Sequence, residues 1–180
     1  MILMDTNILL LLSALLIIAV INDIRYRRIP NLLTYPVMIV AVAYNSWLYG
    51  LEGFLFSIGG IVLGIAVLIV FHFMGGMGAG DVKLMGAVGG LLGPKIVFAA
   101  FLFTAIIGGI HALAVLIVKG YAMEAFKRYL AIMKTLILTK RIIYIPSSGE
   151  EGELRLCYGI SIAAGTLLAI LLGSEILKFI

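Results

Sequence analysis

The 180-residue sequence is poor in charge, cysteine and histidine, and each shortage removes a class of function. Only 12% of its residues are charged, where soluble domains carry about 25%, and 63% are apolar, where about 45–50% is usual. That balance excludes an ordinary soluble domain and points to a polytopic membrane protein. A single cysteine, Cys157, allows neither an internal disulfide nor a thiolate-ligated zinc site. The two histidines, His72 and His111, stand far apart, so no metal and no cofactor is expected. The net charge of +4 comes from basic residues scattered between apolar runs. They form no stripe with interleaved aromatics, so nucleic acid is not an expected partner. The first 21 residues are apolar but lack a basic n-region and a small-residue cleavage site. They are expected to be a retained span.

What the chain has instead is a succession of apolar runs of membrane-crossing length. About 20 apolar residues are needed to cross a hydrocarbon core of roughly 30 Å. Ile2 to Ile21 meets this requirement, and Arg25, Arg27 and Arg28 then form a short basic loop. Pro30 cannot continue a helix, and Asn31 is a good N-cap for a second span from Leu32 to Tyr49. Gly50 to Gly53 reads as a tight turn, and Phe54 to Phe73 as the third span, with Gly59, Gly60 and Gly64 allowing close helix contact. A single helix from Val82 to Val118 would be about 55 Å long, so Pro94-Lys95 must mark a turn. This divides the stretch into a short fourth segment, Val82 to Leu92, and a fifth, Ile96 to Val118. The short segment either continues through the Gly93-Pro94 corner or thins the membrane locally. Tyr158 to Ile176 makes the sixth.

The expected fold is therefore all-α: one membrane-embedded domain over residues 1–180, with about six transmembrane helices. Residues 119–156 form an insert between the fifth and sixth. In the insert, Phe126, Tyr129, Leu130, Met133 and Leu136 or Ile137 recur every three or four positions, opposite Glu124, Lys127, Arg128 and Lys134. The pattern predicts an amphipathic helix over 121–139 lying on membrane lipid, followed by a loop at 146–152. If the loops after the first, third and fifth segments face the cytoplasm, 11 of the 13 basic residues lie there, leaving Lys95 and Lys178 outside.

Two acids stand out against this apolar background. Asp23 follows the first apolar run, and Asp81 sits in the glycine-rich break Gly75-Gly76-Met77-Gly78-Ala79-Gly80-Asp81-Val82-Lys83. An acid at a membrane-edge position costs free energy and defaults to a functional reading. The topology puts both at the cytoplasmic edge, at one depth. Two carboxylates that share a site do not both ionise easily, so one holds a proton while the other accepts one. Such a pair can activate water as a general base and protonate a scissile amide as a general acid, which is peptide hydrolysis of the aspartic type. Gly78 and Gly80 would let backbone approach an extended substrate closely. Asp81 would stand at the N-terminus of the short fourth helix.

The residues around the acids also carry a family resemblance. Gly76-Met77-Gly78-Ala79-Gly80-Asp81-Val82-Lys83-Leu84 resembles the GMGxGDxKL signature of type IV prepilin peptidases, membrane aspartic proteases of the GxGD class. Asp23-Ile24-Arg25-Tyr26-Arg27-Arg28-Ile29-Pro30-Asn31 is similar to the family's first aspartate motif. Tyr158-Gly159-Ile160 resembles its final-helix Pro-Tyr-Gly pattern, with Cys157 where proline is usual. The resemblance covers nearly the whole chain. It implies an endopeptidase of the cell membrane that removes the basic leader from prepilin-like or preflagellin-like precursors at the cytoplasmic face, with Asp23 and Asp81 catalytic. The family's larger bifunctional members carry a cysteine-bearing insert near the start. The chain lacks it, so a peptidase-only form is expected.

Other readings of the same residues stay open at this level. Lys83 either steadies the aspartate or substrate, or anchors its helix at the interface. His72 either tunes the pair or is hydrogen-bonded at the membrane edge, and His111 reads as an interhelical donor. Met74, Met77 and Met85 suit an adaptable substrate groove or simple core filling. The glycine run is not a nucleotide loop, because no strand precedes it and no Lys-Ser/Thr follows. A proton-coupled or ion transporter using Asp23 and Asp81 as a relay is the main rival function. A noncatalytic membrane adaptor built on the 121–139 helix is another. Proteases of the presenilin or signal peptide peptidase type share GxGD but cut inside spans and need more helices than six.

Overall fold

The computed structural model describes residues 5–73, 76–120, 123, 127, 130 and 157–176, with side chains described to residue 172. Every element among the described residues is helical: α1 (Thr6–Tyr26), α2 (Asn31–Phe73), α3 (Ala79–Val118) and α4 (Tyr158–Ile176). The expected amphipathic helix over 121–139 and the loop at 146–152 lie outside the described residues, apart from positions 123, 127 and 130, which are helical. The chain forms two compact units, one comprising Met1–Gly108 and Cys157–Ile180, the other Gly109–Leu156.

Three helices, α1, α2 and α3, are long and apolar enough to cross a membrane. At 43 and 40 residues, α2 and α3 would each run to roughly 60 Å if straight. Both are broken at a glycine. Gly50 (φ 59°, ψ −135°) divides α2 into arms 31–49 and 51–73, and Gly93 (φ 77°, ψ 175°) divides α3 into arms 79–92 and 94–118. At Gly93 a side chain is doubly excluded, because φ is positive and a Cβ would run into the Phe56 ring. The four helices thus divide into six segments. The turns are tighter than the apolar runs suggest: the first is confined to Gly50, and the second is Gly93 with Pro94 opening the next arm.

The core of the first unit is the short arm 79–92. Val82 and every residue from Leu84 to Gly93 are buried, so the arm is apolar on all sides and the other segments surround it. The second arm of α2 lies against it backbone to backbone. A Cβ on Gly60 would strike the Gly89 carbonyl, and one on Gly89 the Gly60 carbonyl. Contact this close is available only to small residues. A buried amide joins the same elements: Asn45 Nδ2 donates to Ser57 Oγ (2.8 Å) and to the Gly90 carbonyl (3.4 Å), and Ser57 Oγ donates to the Ala41 carbonyl (3.3 Å).

Helix α1 packs on α2 and α4 through one stripe, Ile8, Leu12, Leu15, Leu16, Ala19 and Asp23. Its other face holds Leu10, Ile17, Ile21 and Ile24, all more than half exposed. A helix that turns large aliphatic side chains outward over its whole length suits lipid, not water. The helix also runs further than its apolar stretch, which ends at Ile21. It continues to Tyr26, with Arg25 in the last turn where a cation is favoured, and closes on Arg27 in the left-handed region (φ 50°). Asp23 is therefore a helical residue on the buried stripe, and Arg25, expected in a loop, is helical too.

Candidate active site

Asp23 and Asp81 are both buried, with 6% and 7% of their surfaces exposed, and they are the buried charged residues among those described. They approach from different helices, Asp23 from the last turns of α1 and Asp81 from the first turn of α3. Asp81 lies near enough to Asp23 to feel its charge.

Each carboxylate accepts a hydrogen bond from a glycine backbone N–H, but the two bonds have different origins. Asp81 is held by its own turn. Gly78 N–H donates to Asp81 Oδ2 (3.1 Å), and Asp81 N–H donates to the Gly78 carbonyl (3.1 Å). The Asp81 side chain supplies the acidic half of a capping box, with Gly78 at the N-cap and Asp81 as the third helical residue, and a backbone turn bond stands in for the N-cap side chain that glycine lacks. Asp23 is held across the fold, where Gly159 N–H, in the first turn of α4, donates to Asp23 Oδ2 (2.8 Å). At the same place the Asp23 carbonyl accepts from Arg27 N–H (2.8 Å) and from the Cys157 thiol (3.8 Å). Burial pushes the Cys157 thiol up from its ordinary range, the Asp23 carboxylate adds to the rise, Arg27 opposes it, and Asp81 adds a little more. Three elements thus meet here: the end of α1, the head of α3 and the head of α4.

The remaining motif residues hold these elements together. Gly80 was expected to leave its flank to a substrate, but the flank is filled from within the chain. A Cβ there would stand 3.0 Å from Ile29 Cβ and 3.3 Å from the Ile29 backbone nitrogen and oxygen. The two aspartate motifs are therefore packed directly on each other. Lys83 Nζ donates to Asn31 Oδ1 (2.8 Å) and lies 5.2 Å from the centre of the Tyr35 ring, tying the head of α3 to the head of α2. The Asn31 side-chain oxygen thus serves Lys83, where the sequence suggested an N-cap. His72 Nδ1 is 2.9 Å from the Met77 carbonyl, so it braces the glycine-rich break. His111 lies half-buried in the second unit. Met85 is fully buried and Met77 packs against the same core, while Met74 lies outside the described residues. Among the described residues no three His, Cys, Asp or Glu side chains cluster as a metal site.

Sequence reasoning found both acids but gave Gly159 no role. The only signal was its place in a Tyr-Gly pair opening the last helix.

A profile of the Type IV leader peptidase family matches residues 10–113, which include both acids. The chain belongs to that family. It is 30% identical over 172 residues to the prepilin leader peptidase/N-methyltransferase of Bacillus subtilis (strain 168), covering 92% of this chain and 56% of that protein. It is 32% identical over 117 residues to the Vibrio cholerae (serotype O1) protein of the same name, covering 59% of this chain and 45% of that protein. The chain thus spans about half the length of these family relatives. No solved structure matches it.

Proposed function

We propose that the chain is a membrane aspartic endopeptidase that removes the basic leader from type IV prepilin-like or preflagellin-like precursors. The observation that carries this reading is the pair of buried carboxyl groups, Asp81 within the field of Asp23, at the meeting point of three helix ends. Membership of a leader peptidase family and the names of its relatives supply the substrate class.

In this mechanism one carboxylate accepts a proton from water as the water oxygen adds to the scissile carbonyl carbon. The protonated partner then gives its proton to the amide nitrogen as the carbon–nitrogen bond breaks, releasing leader and mature chain without a covalent intermediate. Gly78, exposed at the head of α3, is where a substrate backbone can come closest to Asp81. Gly80 and Lys83 keep α3 seated against residues 29–35 and so fix that approach. The six helical segments span the bilayer, with residues 119–156 as an insert. The basic residues Arg25, Arg27, Arg28 and Lys83 beside the acids support a cytoplasmic-edge site in the cell membrane, where a basic leader preceding a hydrophobic helix would lie.

The test is cleavage, in detergent, of a synthetic precursor with a basic leader, a glycine at the cut and an apolar helix. The unsubstituted chain releases leader, and Asp23→Ala and Asp81→Ala each lose about 10²–10⁴-fold in rate while remaining folded. Cleavage surviving in either variant, or none by a folded parent, overturns the reading. Proton flux in vesicles would then be the next measurement.

A further inference from the structure

We infer that Gly159 is a positioning residue for Asp23: its N–H sets where the Asp23 carboxyl points, and its lack of a side chain is a requirement of the site. The inference rests on the peptidase reading for its kinetic consequence but on geometry for its substance. The Gly159 N–H to Asp23 Oδ2 distance is 2.8 Å, and the bond lies in a buried setting. There is no room beside it. A Cβ on residue 159 would fall 2.8 Å from Asp23 Oδ2, 3.1 Å from Asp23 Cβ and 3.3 Å from Asp23 Cγ. The first and tightest of these lies below any ordinary Cβ contact, and all three belong to the same side chain. An alanine there must therefore either turn the carboxyl away or push α4 off α1.

The opening of α4 contributes more than one contact to this acid. The Cys157 thiol, two residues earlier, donates to the Asp23 carbonyl, and Ile162 and Ala169 further along α4 are buried and anchor the helix. The first-turn N–H groups of a helix have no partner within that helix and carry its positive end, so a carboxylate is a natural acceptor for one of them. What is particular here is that the acceptor is one of the two acids proposed to act on substrate. No residue of α1 is shown holding that carboxyl.

The experiment uses the full chain in detergent, with the synthetic precursor and three forms: parent, Gly159→Ala and Ile162→Val. The last loosens α4 by one buried methyl while leaving Gly159 in place. Gly159→Ala lowers kcat by about 10- to 100-fold, as expected for a misdirected buried carboxylate, with KM and thermal midpoint close to the parent's. Ile162→Val lowers the midpoint and leaves kcat near the parent's. A kcat for Gly159→Ala within about threefold of the parent's, or equal losses of kcat in the two variants, overturns the inference. Amide spectra of ¹⁵N-glycine-labelled protein test the contact without relying on cleavage or on the folding of Gly159→Ala. Asp23→Ala moves the Gly159 amide signal and Asp81→Ala moves that of Gly78; a Gly159 signal indifferent to Asp23→Ala overturns the inference. Failure of the folded parent to cleave counts against the peptidase reading alone, and the amide spectra then decide the positioning.

Discussion

Asp81 and Asp23 are alike in burial and in accepting one glycine N–H, yet one is held by a residue three positions away and the other by a residue 136 positions away. The local arrangement forms whenever the head of α3 forms. The distant one exists only when α4 is docked. Half of the pair is thus a property of a nine-residue motif, and the other half is a property of the whole bundle.

The comparison can be broken most sharply at the acids themselves. If they act as one unit, Asp23→Asn and Asp81→Asn each remove about 10²–10⁴-fold of the cleavage rate, and the double variant loses no more than the worse single one. Additive losses measured in the same assay would separate the two acids. Next in size are changes that set helix backbones apart. Gly165→Ala puts a methyl 2.6 Å from the Thr104 backbone nitrogen, and Gly89→Ala puts one on the Gly60 carbonyl. Each costs about 1–3 kcal/mol or more, read as a lowered unfolding midpoint in detergent. Of the two, Gly165→Ala disturbs the helix that supplies the Asp23 donor.

Gly78→Ala sharpens the contrast from the other side. Its added Cβ would sit 3.1 Å from Asp81 Oδ2, the free end of a side chain rooted in the same turn, and 4.0 Å from its next neighbours, Asp81 Cγ and the Gly80 nitrogen. The carboxyl can yield, so the methyl acts on substrate approach, raising KM while kcat falls by less than about threefold, well short of the kcat loss expected for Gly159→Ala. The smallest effect is on Cys157. Its thiol is held protonated by burial and then by the Asp23 charge, with Asp81 the weakest contributor. Removing the Asp23 charge therefore lowers the thiol's pKa and raises the thiolate fraction at a given pH. Alkylation at pH 8 should be about threefold faster in Asp23→Asn and less accelerated in Asp81→Asn. The reverse order would contradict the placement of the thiol beside Asp23.

Much of this was legible in the chain. The glycine and proline positions announce the breaks at 50 and 93, because a left-handed residue or a missing N–H is a local property. Asp81 at the head of its helix follows from the glycine-rich run in the same way. Less was legible where the answer depended on what lies opposite. The arm 79–92 looks too short to cross a membrane, and only the surrounding segments show that it is the core. Gly80 reads in the sequence as space for substrate, and only the fold shows Ile29 packed on its flank. The end of α1 was misjudged because the apolar run stops at Ile21, whereas a helix stops where its hydrogen bonds do. Gly159 carries no chemistry of its own, so its part in the site emerges only with Asp23 beside it.

The opposite end of α1 has a polar contact of its own. Tyr44 donates to the Asp5 carboxylate, and Asn7 Nδ2 donates to the Tyr44 hydroxyl (3.1 Å), latching the start of α1 to the first arm of α2. Asp5 and Asp23 are 18 residues apart, about 27 Å along a helix. A tilt of α1 of about 5° around this latch would carry Asp23 sideways by roughly 2.4 Å, so the latch at one end and the Gly159 bond at the other fix the acid between them.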